Sequence, residues 1–66
     1  MKLVIYGNSD FAELIYYYFT NDSKYEVVGF CVDKDFIKSD KFLDKPLVSF
    51  EEVEKIFPPN EYKIFV

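Results

Sequence analysis

The sequence predicts a small α/β domain, in which a parallel sheet of about four strands has helices on both faces. Residues 3–6 form a short apolar run that ends at Gly7, which is typical of a strand buried on both faces. Apolar residues at helical spacing follow this glycine directly, as in an amphipathic helix. Strand-like and helix-like segments then alternate along the chain, and this alternation favours a parallel sheet.

The first helix is predicted to begin near Asp10, where Asp10 as N-cap and Glu13 three residues later form a capping box. Ser9 is the alternative N-cap. Residues 20–23 all favour turns and caps, so the helix is expected to end there. One apolar face is predicted to pack on the sheet, and it consists of Phe11, Leu14, Ile15, Tyr18 and Phe19.

Residues 25–32 are the predicted second strand, and Asp33 follows at its carboxyl end. Residues 34–45 are mostly charged or polar, and this composition favours a surface loop. The segment contains two isolated aromatic residues, Phe36 and Phe42, and we expect one or both of them to tether the loop to the core.

The second half of the chain carries a short strand, a helix and a final strand. Residues 46–48 are extended, and Pro46 favours an edge position in the sheet. Ser49 and Glu52 form a second capping box, opening a helix that carries Val53, Ile56 and Phe57 and is stopped by residues 58–60. Residues 62–66 form the last strand. Because parallel strands need cover on both faces, residues 1–66 are expected to be the N-terminal domain of a longer protein, truncated after this strand. The alternative is that a partner subunit pairs with it.

Composition excludes several classes of protein. A chain of 66 residues has a marginal core, and with one cysteine and no histidine neither an internal disulfide nor a zinc site is expected. All eight basic residues are lysines scattered along a chain of net charge -4, which argues against a nucleic-acid partner. No apolar run approaches the roughly 18 residues of a membrane span. A cytoplasmic location is therefore predicted, and the lone Cys31 agrees with it.

The turn after the first strand carries the strongest motif. Residues 7–12, GNSDFA, match the Rossmann-type pattern G-x-G-x-x-[GA] at Gly7 and Ala12, while Ser9 replaces the middle glycine. The first glycine permits a tight turn, and the last position permits close packing of helix on strand. Ser9 offers a hydroxyl and an amide at a helix N-terminus, where anions are stabilised, although the charge of Asp10 opposes a phosphate there.

An acidic residue completes a candidate binding site. Asp33 follows Ala12 by 21 positions, at the place where such a residue accepts hydrogen bonds from ribose hydroxyls. Each feature alone has a plain structural explanation as a turn, a cap or a solvated strand end. Together they predict nucleotide binding. The sequence shows no general base, nucleophile pair or metal cluster, so no catalytic residue is assigned, and Cys31 is interpreted as a core thiol. The predicted binding residues are Gly7, Asn8, Ser9 and Asp33.

Four segments resemble one enzyme family: KLVIYGNSDFA at 2–12, YEVVGF at 25–30, VD at 32–33 and KPLVSFEE at 45–52. They are similar to the N-terminal domain of the sialic acid O-acetyltransferase-like sugar acyltransferases. The resemblance implies that a left-handed β-helix of hexapeptide repeats follows, holding the catalytic histidine and acetyl-CoA in a homotrimer. It also implies transfer of an acetyl group to a hydroxyl or amine of a sugar, with residues 1–66 on the acceptor side.

The resemblance further implies where the acceptor and the strands lie. A nucleotide-linked sugar would bind at the turn of Gly7 and Ser9 and at Asp33. The strand order would be 3-2-1-4, with residues 46–48 at one edge and residues 62–66 beside the first strand. Family members commonly have a Gly-Gly or Ser-Gly pair where this chain has Ser9 and Asp10.

Two other functions stay open at this point. A dinucleotide-binding oxidoreductase fragment fits the same turn, although Ser9 limits the backbone approach that a pyrophosphate needs. A non-catalytic interaction module is the third possibility, in which an exposed pair, Tyr16 and Tyr17, would contact another protein chain.

Overall fold

The computed structural model describes residues 1–21 and 24–66, which form an α/β fold around a five-stranded mixed sheet. Two 3₁₀ turns, Lys34–Phe36 and Phe50–Glu52, connect the elements on either side of them. In chain order the strands and helices are β1 (Lys2–Tyr6), α1 (Asp10–Thr20), β2 (Glu26–Val32), β3 (Lys41–Phe42), β4 (Lys45–Ser49), α2 (Val53–Ile56) and β5 (Tyr62–Phe65).

The sheet order is β3-β4-β2-β1-β5. The strands β4, β2, β1 and β5 are parallel and stand in the order that the family resemblance implies, whereas β3 pairs antiparallel with β4. The α/β class is therefore confirmed, and the prediction of about four all-parallel strands is wrong in one respect. Residues 34–45 are not only a loop, because β3 folds back on β4 and lies outside Pro46.

The hairpin between β3 and β4 has a common turn type with unusual residues in it. Leu43 and Asp44 both have positive φ, 52° and 64°, which is the backbone of a type I′ hairpin turn. Asn-Gly and Asp-Gly are the usual residues there, so the sequence carries no signature of this hairpin. Packing compensates for the unfavourable turn: Leu43 packs against the core, and Phe42 meets the ring of Phe30 with centroids 4.9 Å apart.

The start of α1 differs from the prediction by one residue. Ser9 is the N-cap, and the amide of Glu13 donates to the Ser9 carbonyl oxygen at 3.0 Å. Asp10 is already the first helical residue, so the predicted Asp10–Glu13 capping box is wrong. The helix ends at Thr20 with Asn21 as C-cap, whereas residues 22–23 of the predicted stop lie outside the described residues.

The face of α1 that packs on the sheet also differs from the prediction. Ile15 and Phe19 pack against the core as expected, and they are joined by Ala12 and Tyr16. The other three residues of the predicted face are exposed: Phe11, Leu14 and Tyr18. We call these three residues the apolar stripe.

Each face of the sheet carries its own apolar cluster. On one face Leu3 and Ile5 of β1 pack with α1 and the fully buried Phe30. On the other face, Val4 of β1 packs with Cys31. Side chains that belong to α2, or that follow α2 in the chain, complete this second cluster. Burying a side chain the size of Ile or Phe contributes about 1.5–3 kcal/mol, so these clusters hold both helices on the sheet.

The second predicted helix is shorter than expected. Ser49 is the N-cap of the 3₁₀ turn Phe50–Glu52, and its Oγ donates to Glu52 Oε1 at 3.2 Å. The two residues of the predicted capping box therefore meet through their side chains rather than through backbone amides. The α-helix proper is Val53–Ile56, and Phe57 is its C-cap.

Candidate functional site

The turn from β1 into α1 depends on two small residues. Gly7 has φ +135°, a conformation that L side chains rarely adopt, and its amide donates to the Cys31 carbonyl oxygen at 2.8 Å. A Cβ placed on Gly7 would lie 3.2 Å from the Cβ of Ala12, which is buried. The first and last positions of the motif therefore contact each other, and together they allow α1 to approach the end of β1.

Asp33 lies at the same end of the sheet. It follows β2 with its side chain exposed, and the Tyr6 hydroxyl at the end of β1 donates to Asp33 Oδ1 at 2.8 Å. This hydrogen bond joins residues 27 positions apart. The hydrogen bond to Asp33 raises the pKa of the Tyr6 phenol above its ordinary value of 10.0, so the hydroxyl stays a donor at neutral pH.

Asn8 links the two loops at this end of the sheet. Its Nδ2 donates to the carbonyl oxygen of Phe36 at 2.9 Å, in the 3₁₀ turn that Asp33 opens. The amide of Phe36 in turn donates to the Asp33 carbonyl oxygen at 2.9 Å. Asn8 therefore positions the loop that carries Asp33, in addition to its predicted role in binding.

Ser9 lies on the open side of the turn. It is exposed, and its backbone is extended (φ -117°, ψ -175°), a conformation open to any residue. The backbone conformation at this middle position of the motif therefore does not itself require glycine. The Ser9 hydroxyl makes no capping hydrogen bond to α1, so no Ser9 cap occupies the first amides of the helix.

Aromatic rings surround this end of the sheet, and the sequence analysis did not assign them to a site. The ring of Phe50, which directly follows β4, meets the Tyr6 ring edge to face with centroids 5.3 Å apart. Phe36 is 62% exposed and Phe50 is 45% exposed, so of the two candidate tethers it is Phe42 that packs against the core. One signal could have identified Tyr6 and Phe50: both stand where a parallel strand ends, and such ends meet at one side of a sheet.

The hydrogen bonds of Tyr6 and Phe36 bring Gly7, Asn8 and Asp33 together. We call these five residues, together with Ser9, the carboxyl-end site. Its residues are half-buried or exposed, and they offer one carboxylate, a hydroxyl, the first amides of α1 and aromatic rings. An open hollow of about 530 Å³ lies elsewhere, between α1 and β5, and shares none of these residues. Gly7, Asn8, Ser9 and Asp33 stay predicted binding residues.

Comparison of the chain with protein-family models, with curated proteins and with solved structures finds no match. Neither helix in residues 1–21 and 24–66 has both the length and the apolar character needed to cross a membrane. Within the same residues, no three side chains of His, Cys, Asp or Glu are grouped so that they could hold a metal ion.

Proposed function

We propose that residues 1–66 form a Rossmann-like domain that binds a nucleotide-linked sugar, on the acceptor side of an acetyl-CoA-dependent sugar O- or N-acyltransferase. The observation that carries the proposal is the 2.8 Å hydrogen bond from Tyr6 to Asp33. It holds a carboxylate beside the Gly7 turn, which is where such folds bind ribose. The family resemblance supplies the sugar and the acetyl transfer.

The chemistry of the carboxyl-end site suits a nucleoside diphosphate. The Asp33 carboxylate can accept hydrogen bonds from the two vicinal hydroxyls of a ribose while Oδ1 keeps its bond to Tyr6. The first amides of α1 and the Ser9 hydroxyl are donors for a phosphate, and the helix dipole favours its charge. The exposed rings of Phe36 and Phe50 offer apolar faces on which a planar base can stack.

Asp10 sets a limit on this binding. It is exposed in the first turn of α1, where its negative charge opposes a phosphate at the same helix end. Because the side chain is exposed, water and salt screen this repulsion. Salt weakens both this repulsion and the attraction of the helix dipole, so the phosphate affinity should depend less on ionic strength than it does at a lysine-rich site.

Acetyl transfer itself is not assigned to these residues. The chain has no histidine to remove a proton from an acceptor hydroxyl or amine, and its cysteine is buried. The donor set therefore does not fit a CoA-dependent catalytic centre, and no step of the transfer belongs to residues 1–66. The proposal places acetyl-CoA and the catalytic histidine in the β-helix of a cytoplasmic homotrimer, as the resemblance implies.

Calorimetric titration of the chain with a uridine diphosphate sugar tests the proposal. Asp33→Ala is expected to weaken binding by roughly 10–100-fold, the usual loss when a charged hydrogen-bonding partner is removed. Asp35→Ala is the matched control, since Asp35 is an exposed aspartate in the neighbouring 3₁₀ turn. Equal losses in the two variants would refute the role of Asp33. Tighter binding of NADH than of any sugar nucleotide would favour the oxidoreductase alternative.

A further inference from the structure

The apolar stripe on α1 is not used by the core of this chain. Phe11, Leu14 and Tyr18 are 67%, 64% and 67% exposed, and their spacing of three and four residues places them on one side of the helix. A contiguous apolar patch of a few hundred Å² on a protein surface is often functional.

The apolar stripe lies on the same side of the molecule as β5. Tyr18 and Phe65 line one hollow, and the ring of Phe19 contacts that of Phe65 with centroids 5.1 Å apart. Among the described strands β5 pairs only with β1, so its outer side is an open sheet edge. Such an edge is a template for pairing with another strand.

We propose that the apolar stripe and the outer edge of β5 bind a second copy of this chain about a two-fold axis, with β5 antiparallel to β5 of the partner. The two sheets then continue into each other, and the apolar stripes of the two copies meet above the seam. A two-fold interface uses the same patch on both subunits, which is the commonest arrangement in homo-oligomers.

The available area agrees with a dimer. The two aromatic side chains and the leucine of the apolar stripe expose roughly 300–400 Å² of apolar surface per copy. Ile64 of β5 and Val66 directly after it add exposed apolar side chains along the same edge, with Ile64 on the sheet face opposite α1. The sum is roughly 500–600 Å² per copy, near the lower end of the area that specific interfaces bury, so a weak dimer is expected.

Charge complementarity favours the antiparallel arrangement. Asp10 and Glu13 make the first turn of α1 acidic, and the last turn contains no basic residue. Lys24 lines the hollow beside Tyr18, near the other end of α1. Antiparallel copies therefore bring the acidic end of one helix towards the lysine of the partner, whereas parallel copies would bring like charges together.

Sedimentation equilibrium of the 66-residue chain from about 1 µM to about 1 mM tests the proposal. The expected mass rises from 7.9 kDa to twice that value. Leu14→Glu should raise the dimer dissociation constant by roughly 100-fold or more, because the charge enters the interface in both copies. Glutamate is a good helix former and Leu14 is exposed, so the monomer should stay folded, as far-UV circular dichroism can verify.

Ile56→Glu is the matched control, because Ile56 is 50% exposed on α2, which packs on the opposite face of the sheet. It should leave the dissociation constant within about twofold of the wild-type value. The charge reversals Asp10→Lys and Lys24→Asp should each weaken the dimer, and the double variant should recover most of the loss. Three results would each overturn the proposal. The wild-type chain could stay monomeric, Ile56→Glu could raise the dissociation constant as much as Leu14→Glu does, or the mass could grow beyond that of a dimer.

Discussion

Tyr6 and Asp33 show how one hydrogen bond shapes the candidate site. Tyr6 is the last residue of β1 and Asp33 directly follows β2, so this hydrogen bond joins the carboxyl ends of two neighbouring parallel strands. The Tyr6 ring also contacts Phe50 after β4. A single side chain therefore connects three strand ends, although the sequence marks it only as part of an apolar run.

Cys31 is the residue whose chemistry depends most on burial. It is fully buried between the sheet and α2, and desolvation raises the pKa of its thiol from 9.0 to about 11. We expect native protein to react with a disulfide reagent at about pH 8 at least about 100-fold more slowly than protein unfolded in urea. Equal rates in the two states would contradict a buried thiol.

The same shift in the Cys31 pKa makes stability depend on pH. Because the pKa is higher in the folded state, the protonated thiol favours folding, and this contribution is complete below about pH 9. It is lost as the pH rises from about 9 through about 11, and amounts to roughly 2–3 kcal/mol. Urea unfolding from about pH 7 to 11 should show this decline, and Cys31→Ala should flatten it.

Gly29 is required for packing rather than for its backbone conformation. A Cβ at this position would lie 2.8 Å from a ring carbon of Phe57 and 3.1 Å from the Pro46 carbonyl oxygen. The Phe57 ring is held in turn against Tyr62, with centroids 5.1 Å apart. Gly29→Ala is therefore expected to lower the free energy of unfolding by about 1–3 kcal/mol.

A double-mutant cycle separates this clash from a general effect on β2. In a Phe57→Leu background the added methyl group at Gly29 meets a shorter side chain, so its cost should fall by at least about 0.5 kcal/mol. Chemical denaturation of the four proteins gives the coupling energy. Strict additivity would show that the Phe57 ring is not the obstacle.

At the scale of elements, the β3–β4 hairpin keeps a turn that its residues do not favour. Asp44 has φ 64° and is exposed, so glycine can replace it without loss of packing. Asp44→Gly should raise the free energy of unfolding by about 0.5–1 kcal/mol, because glycine adopts this φ without steric cost. Thermal or urea unfolding measures the change.

Leu43 provides the contrast for this prediction. It has the same sign of φ, but its side chain packs against the core. Leu43→Gly gains the same backbone freedom and loses that packing, so a net destabilisation is expected. Stabilisation by Leu43→Gly, or destabilisation by Asp44→Gly, would contradict this account of the hairpin.

The helix α1 shows why a sequence pattern can select the wrong face. Two overlapping sets of apolar residues lie on it and share Ile15 and Phe19, and the predicted set differs from the packed one in having Phe11 and Leu14 where the packed one has Ala12. The side of α1 that faces the sheet is determined instead by Ala12, because α1 approaches Gly7 so closely that only a small residue fits there. A three-dimensional constraint from the turn therefore decides between two faces of similar hydrophobicity.

At the scale of the whole molecule, the parallel part of the sheet follows from the sequence. The buried runs of β1 and β2 and the glycine turn specify its start, and the position of Asp33 specifies which loops meet. The antiparallel β3 was not predictable, because two residues show no alternation and the turn lacks glycine. The aromatic neighbours Phe36 and Phe50 were missed since a pattern along the chain does not reveal contacts between strand ends.

Chemical-shift mapping of the isotope-labelled chain with a uridine diphosphate sugar tests the central claim most directly. The account predicts that the backbone amides of Gly7, Asn8, Ser9 and Asp33 shift together along one saturation curve. Shifts confined to the α1 surface around Tyr16 and Tyr17, with the carboxyl-end site unperturbed at saturation, would contradict it.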